Sequence, residues 1–201
     1  MSFFSPSDTA FQPKRKFRFL VSFSNLGEDL QFMVTKASKP SFELSNSTEH
    51  RLLNHVFKYP GIVKWQDIDV SFIDAIEPNV GSKFYNVLKN MGYVQPLTLD
   101  NMASGITKQQ ADAAVGTVSL YQLDAGGFAA PTPGDSVDGY PGQSFVKYYE
   151  RWDLKNAFIK SINFGDLSYD DEGIVGIDVG LSYDFAEYTA PTNGAEIPLP
   201  G

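Results

Sequence analysis

Between residues 175 and 185, Val175, Ile177, Val179, Leu181, Tyr183 and Phe185 alternate without a break with Gly176, Asp178, Gly180, Ser182 and Asp184. A period of two puts every apolar side chain on one face of a strand and every small or acidic one on the other. This segment therefore predicts a sheet with one buried face. The same period recurs along the chain. Phe17, Phe19, Val21 and Phe23 alternate with Lys16, Arg18, Leu20 and Ser22, and Ile68, Val70 and Phe72 alternate with Asp67, Asp69 and Ser71. Val118, Leu120 and Gln122 alternate with Thr117, Ser119 and Tyr121, and 145–164 reads as one or two further strands. Repeated half-buried strands predict a mainly β chain, an antiparallel β-sandwich or barrel.

Between the strands the patterning changes. Asn25 to Asp29 supplies turn chemistry, and Leu30, Phe32 and Val34 alternate after it, which predicts a hairpin return that Pro40 ends. Residues 45–63 alternate poorly and predict an extended arm with its tip near Pro60-Gly61. Val80, Phe84, Val87, Leu88 and Met91 form one stripe of a flanking amphipathic helix, with Asn79 as cap and Gly92 as stop. A weaker helix is predicted over 102–114. Residues 124–144 are dense in Gly and Pro and predict a long surface loop. The expected organisation is an N-terminal arm, 1–13, a β domain, 14–188, and a flexible C-terminal tail, 189–201.

Composition excludes several chemistries. The 201 residues carry 16 basic and 24 acidic side chains, a net charge of −8, which disfavours a surface built to grip phosphates. With no cysteine, thiolate metal sites and cysteine nucleophiles are impossible. His50 and His55 are the only histidines, and their spacing puts them on opposite faces of a strand. Asp166, Asp170, Asp171 and Glu172 lack the alternating spacing of a calcium loop. Gly126-Gly127 has none of the context of a phosphate-binding loop, and Asn46-Ser47-Thr48 is a sequon without an export signal. Residues 1–13 lack the layout of a signal peptide, so a cytoplasm is the expected place of synthesis. The basic cluster Lys14, Arg15, Lys16 and Arg18 reads as a charged strand edge. No catalytic residue, cofactor or metal is expected, and the chain does not read as an enzyme.

Taken in order, the Phe-rich first hairpin, the extended arm, the run from Trp65 to Phe72, one amphipathic helix, and the unit from Trp152 and Asn156-Ala157 to Leu181-Ser182-Tyr183-Asp184 resemble the tail tube protein of contractile-tailed, myovirus-type bacteriophages. The resemblance covers roughly 14–188. It implies a β-sandwich or barrel-like subunit with a helix at its side, whose sheets join between subunits into six-membered rings. The rings stack into a tube inside a sheath. The implied partners are further copies of the chain, the tail sheath protein, the baseplate or tube initiator and the tail terminator. DNA would pass through without specific binding, and the implied location is the tail of a virion assembled in a host cytoplasm. The segment 124–144 and the tail after Tyr188 are longer than the family leads one to expect.

Two sets of site residues follow. Leu52, Leu53, Val56, Phe57 and Tyr59 put more apolar surface on the arm than a loop shows to water, and are expected to contact neighbouring subunits. Asp67, Asp69, Asp178 and Asp184 lie on the acidic faces of two strands; in a ring closed into a tube at least one of those faces is expected to line the lumen, and the four are its candidates. Three other functions remain open: a type VI secretion tube protein of similar fold, a tail tube initiator sharing the core, and a carbohydrate-binding β-sandwich using Trp65 and Trp152 with the Gly/Pro loop as a platform.

Overall fold

The computed structural model describes residues 14–45, 48–98, 101, 105–129, 145–170, 172–191 and 195–198. Two antiparallel sheets face each other across the core. The first runs in the order β1 (Phe19–Phe23), β8 (Val118–Ala129), β9 (Phe145–Lys155), β12 (Phe185–Thr189), with β13 (Ala195–Pro198) also on β9. The second runs β10 (Phe158–Asn163), β11 (Gly176–Ser182), β7 (Ile68–Ile73), β2 (Val34–Ala37). The remaining strands, β3 (Phe42–Leu44), β4 (Thr48–Leu52), β5 (His55–Tyr59) and β6 (Val63–Trp65), make two short ladders outside these sheets.

Alternation in the sequence becomes the two faces of the second sheet. Ile68, Val70 and Phe72 lie opposite Leu181, Val179 and Ile177, and all six are buried. Val21, Phe23, Val118, Leu120 and Leu154 meet them from the first sheet. Each large side chain so buried contributes about 1.5–3 kcal/mol before chain entropy is subtracted. Helix α1 (Val80–Asn90) buries Val80, Phe84 and Val87, and the Phe84 ring sits edge-on to Phe72 at 4.9 Å. Asn79 caps it, its side chain accepting from the Ser82 N–H at 2.7 Å. Helix α2 (Lys108–Val115) starts on a capping box of Thr107 and Gln110 and buries Ala111, Ala114 and Val115.

The chain crosses between the sheets at two adjacent corners. β9 passes to β10 through Asn156 (φ 54) and Ala157, and β11 passes to β12 through Tyr183 and Asp184. Asp184 fastens both: its N–H donates to the Lys155 carbonyl at 3.1 Å, and its carboxylate accepts from Asn156 at 2.7 Å and from Lys108 of α2 at 2.6 Å.

Several expectations are corrected. The segment after the first turn is a 3-10 helix, Glu28–Met33, that buries Leu30, and β2 pairs with β7 while β1 pairs with β8. Leu30 and Met33, three apart, satisfy that helical period as well as an irregular strand. The 175–185 run is split, because one continuous strand could not serve both sheets. α2 begins at Lys108, not at 102. Residues 124–129, expected in the Gly/Pro loop, continue β8 opposite Phe145 and Val146, and 130–144 lie outside the described residues. The tail is tied at Ala195–Pro198, where β13 pairs with the start of β9. The N-terminal 1–13 lie outside the described residues.

Candidate functional site

The arm is a prolongation of the β2/β7 hairpin. Ser38 N–H donates to Asp69 O at 2.9 Å and Gln66 N–H to Ser41 O at 2.9 Å, leading into β3/β6, where Phe42 lies opposite Trp65. Pro60 cannot donate, so the ladder breaks there. Ser45 bridges the break: its N–H donates to Ile62 O at 2.8 Å and its hydroxyl accepts from Ile62 N–H at 2.9 Å. β4/β5 then runs from Thr48 opposite Tyr59 to Leu52 opposite His55. The tip is therefore at Leu53 and Asn54, where Leu53 takes φ 54, and not at Pro60-Gly61.

All five expected contact residues lie exposed on this ribbon. Leu52, Phe57 and Tyr59 share one face, Val56 is on the other, and Leu53, 89% exposed, is at the tip. Phe42, Leu44, Ile62 and Val63 add exposed apolar surface toward the base. A two-stranded ribbon buries neither face by itself and is marginal in water. This one therefore presents a large unpartnered apolar surface.

The base of the arm is held by a buried carboxylate that no sequence pattern singles out. Glu150, on the core side of β9, accepts from Lys39 of the β2–β3 link at 2.6 Å, from Lys14, and from the Trp152 indole N–H at 2.8 Å. Burial pushes its pKa up, but those three donors outweigh burial and hold it at about 2. Lys14, Lys16, Lys36 and Lys39 rim the surrounding cleft of about 610 Å³, floored by Phe19, Leu120 and Trp152. The basic cluster thus sits beside the gap between the two sheets and ahead of β1.

Three of the four expected lumen residues share one surface. Asp67 adjoins β7, Asp69 lies on it opposite Gly180, and Asp178 lies on β11 opposite Ser71, all on the face turned away from the core. The Ser71 hydroxyl donates to Asp178 at 2.6 Å. Lys160 pairs with Asp67 at 2.6 Å, and this contact, with a hydrogen bond from Ser182, holds the Asp67 carboxyl below its usual range. Asp184 stands apart at the corner, its carboxyl lowered by Lys108 and Asn156.

Other singled-out residues have structural surroundings. Trp65 packs between Phe42, 5.4 Å away, and Tyr183, 6.0 Å away, and Trp152 packs on Tyr188 at 4.8 Å. His50 and His55 sit on the two strands of the arm. Among the described residues no group of three or more His, Asp or Glu is arranged to hold a metal ion.

No protein-family model and no curated protein matches the chain. Solved structures do. A chain of the extracellular contractile injection system PVC sheath-tube complex in its extended state aligns over 94% of this chain and 99% of its own length, with TM-score 0.56 and 16% identity. A chain of the anti-feeding prophage baseplate aligns over 90% and 97%, with TM-score 0.57 and 14% identity. One from the anti-feeding prophage tube-terminating cap aligns over 95% and 100%, with TM-score 0.55 and 17% identity. At such identities the likeness is one of fold, and it spans nearly the whole of each chain: this protein has the fold found in subunits of contractile injection systems.

Proposed function

We propose that this chain is the tube subunit of a contractile phage tail, forming six-membered rings that stack inside a sheath. The observation that carries the reading is the arm, a sheet extension whose apolar residues from Leu52 to Tyr59 stand exposed in the monomer. Among the described residues the edge strands are β1 and β12 with β13 on one sheet and β2 and β10 on the other, which fits the same reading, since ring closure turns unpaired edges into contacts between subunits. Sheath, baseplate or initiator, and terminator are the partners such a tube requires.

The acidic surface supports DNA as cargo. Repeated around a ring, Asp69 and Asp178, with Asp67 offset by Lys160, would give a negative wall that repels phosphates and offers no gain from counterion release, so DNA slides without adhering. In the tail of a virion the mechanism is then an absence of binding. The test is negative-stain microscopy of the purified protein at high concentration without nucleotide or metal. Rings and tubes with a central channel are expected; dispersed monomers, with or without baseplate seeds, would refute the reading.

A further inference from the structure

The arm carries both histidines of the chain, and its register brings them together. A spacing of five would part them on a single strand, but the chain reverses at Leu53-Asn54, so His50 lies opposite Phe57 and His55 opposite Leu52. Residues opposite each other in an antiparallel ladder point to the same side. One face of the ribbon is therefore Thr48, His50, Leu52, His55, Phe57 and Tyr59, all exposed, with the His55 ring edge-on to Phe57 at 5.8 Å. The other face is Glu49, Arg51, Val56 and Lys58, where Lys58 pairs with Glu49 at 3.4 Å. Every permanent charge of the ladder is on that second face.

The two faces differ in what they can do at an interface. Burying an unpaired charge is costly, so the histidine face is the one able to leave water. A neutral imidazole can be buried there. An imidazolium cannot without a partner, and neither strand offers it a carboxylate: β4 and β5 pair only with each other, and the other titratable group on the face is the Tyr59 phenol, which carries no charge in acid. Histidine is the side chain that ordinarily gains its charge between pH 8 and 5. The carboxylates that tie the fold keep theirs over that range, since Glu150 is held at about 2 and the carboxyls of Asp67 and Asp184 lie below their usual range.

We propose that His50 and His55 make the arm a proton switch on assembly: the contact between copies of the chain forms with both imidazoles neutral and is released when they are protonated. The proposal rests on the tube-subunit reading above, in which this arm touches a second copy. Free subunits then bind more protons than assembled ones. Assembly is therefore fully favoured above about pH 7 and lost as pH falls through the histidine range, about 6.5. Acid holds the subunits apart without unfolding them.

The test is sedimentation of the wild-type chain at pH 7.5 and 5.5 at one ionic strength, beside H50Q/H55Q, which cannot gain the charge, and H50R/H55R, which always carries it. Circular dichroism first checks each protein for the native fold at both pH values. Each histidine that must shed a proton costs about tenfold in affinity per pH unit below its range, so the wild type should need at least about tenfold more protein to form tubes at pH 5.5. Tubes should return when the pH is restored. H50Q/H55Q should have one threshold at both pH values, and H50R/H55R should behave at pH 7.5 as the wild type does at pH 5.5. If wild-type tubes ignore the change of pH, if H50Q/H55Q keeps the dependence, or if H50R/H55R assembles normally at pH 7.5, the switch is refuted and the tube reading survives. If the wild-type chain forms neither rings nor tubes at pH 7.5, both readings fall together.

Discussion

Glu150 illustrates how one side chain can set the geometry of an element distant in sequence. It joins Lys14, Lys39 and Trp152 at the gap between the sheets, so the base of the arm is fixed to β9. Its carboxyl is held at about 2 against an ordinary 4.5, so the stabilisation is fully present above pH 4.5 and is lost as pH falls from there to about 2. Glu150→Gln should therefore lower stability by about 1–3 kcal/mol at neutral pH, and the gap from wild type should close in that acid window. Urea titrations of both proteins at a series of pH values check this; a gap independent of pH would contradict it. Gly116 offers a second residue-scale test. It ends α2 at φ 71, and a Cβ there would stand 2.1 Å from the Ser24 hydroxyl, which accepts from the Thr117 N–H. Gly116→Ala should cost about 1–3 kcal/mol in the same titration. Neither residue was legible in the sequence. Glu150 sits in an irregular charged run, and the helical pattern over 102–114 is too weak to mark Gly116 as its end.

At the scale of elements, periodicity was legible wherever one face is buried and misleading where the chain turns a corner. β7, β11 and α1 follow their apolar spacing, and α1 should show it energetically: Phe84→Ala, which removes the ring packed on Phe72, should cost about 3–5 kcal/mol in denaturant unfolding. The 175–185 run keeps its alternation through Tyr183 and Asp184, yet those residues carry the chain from one sheet to the other. Alternation reports which face is buried but not against which sheet. The arm is the converse case. Its exposed apolar residues were legible because they break the rule for surface loops, while its tip was misplaced because Pro-Gly is a stronger turn signal than Leu-Asn. Leu53→Glu and Phe57→Glu should leave circular dichroism and thermal midpoint near wild type while abolishing polymerisation measured by light scattering. Unchanged tubes would count against a contact role for the arm.

For the whole molecule, the double-sheet architecture could be read from repeated alternation, because burying one face of each of several strands leaves few layer arrangements. The pairing order could not, since β1 with β8 and β2 with β7 depend on contacts distant in sequence. The acidic residues divide in a similar way: strand parity placed Asp67, Asp69 and Asp178 on one face, while the corner removed Asp184 to a contact with α2. If that face lines a channel, changing Asp67, Asp69 and Asp178 to Lys should slow DNA passage through assembled tails in low salt, with recovery as salt screens the wall. The central claim, that this chain is a self-assembling tube subunit, is tested most directly by sedimentation velocity of the purified protein over a range of concentrations up to high concentration. The account predicts a species at six times the 22.2 kDa chain mass, followed by growth in multiples of it. A single species at the chain mass across the whole range would contradict it.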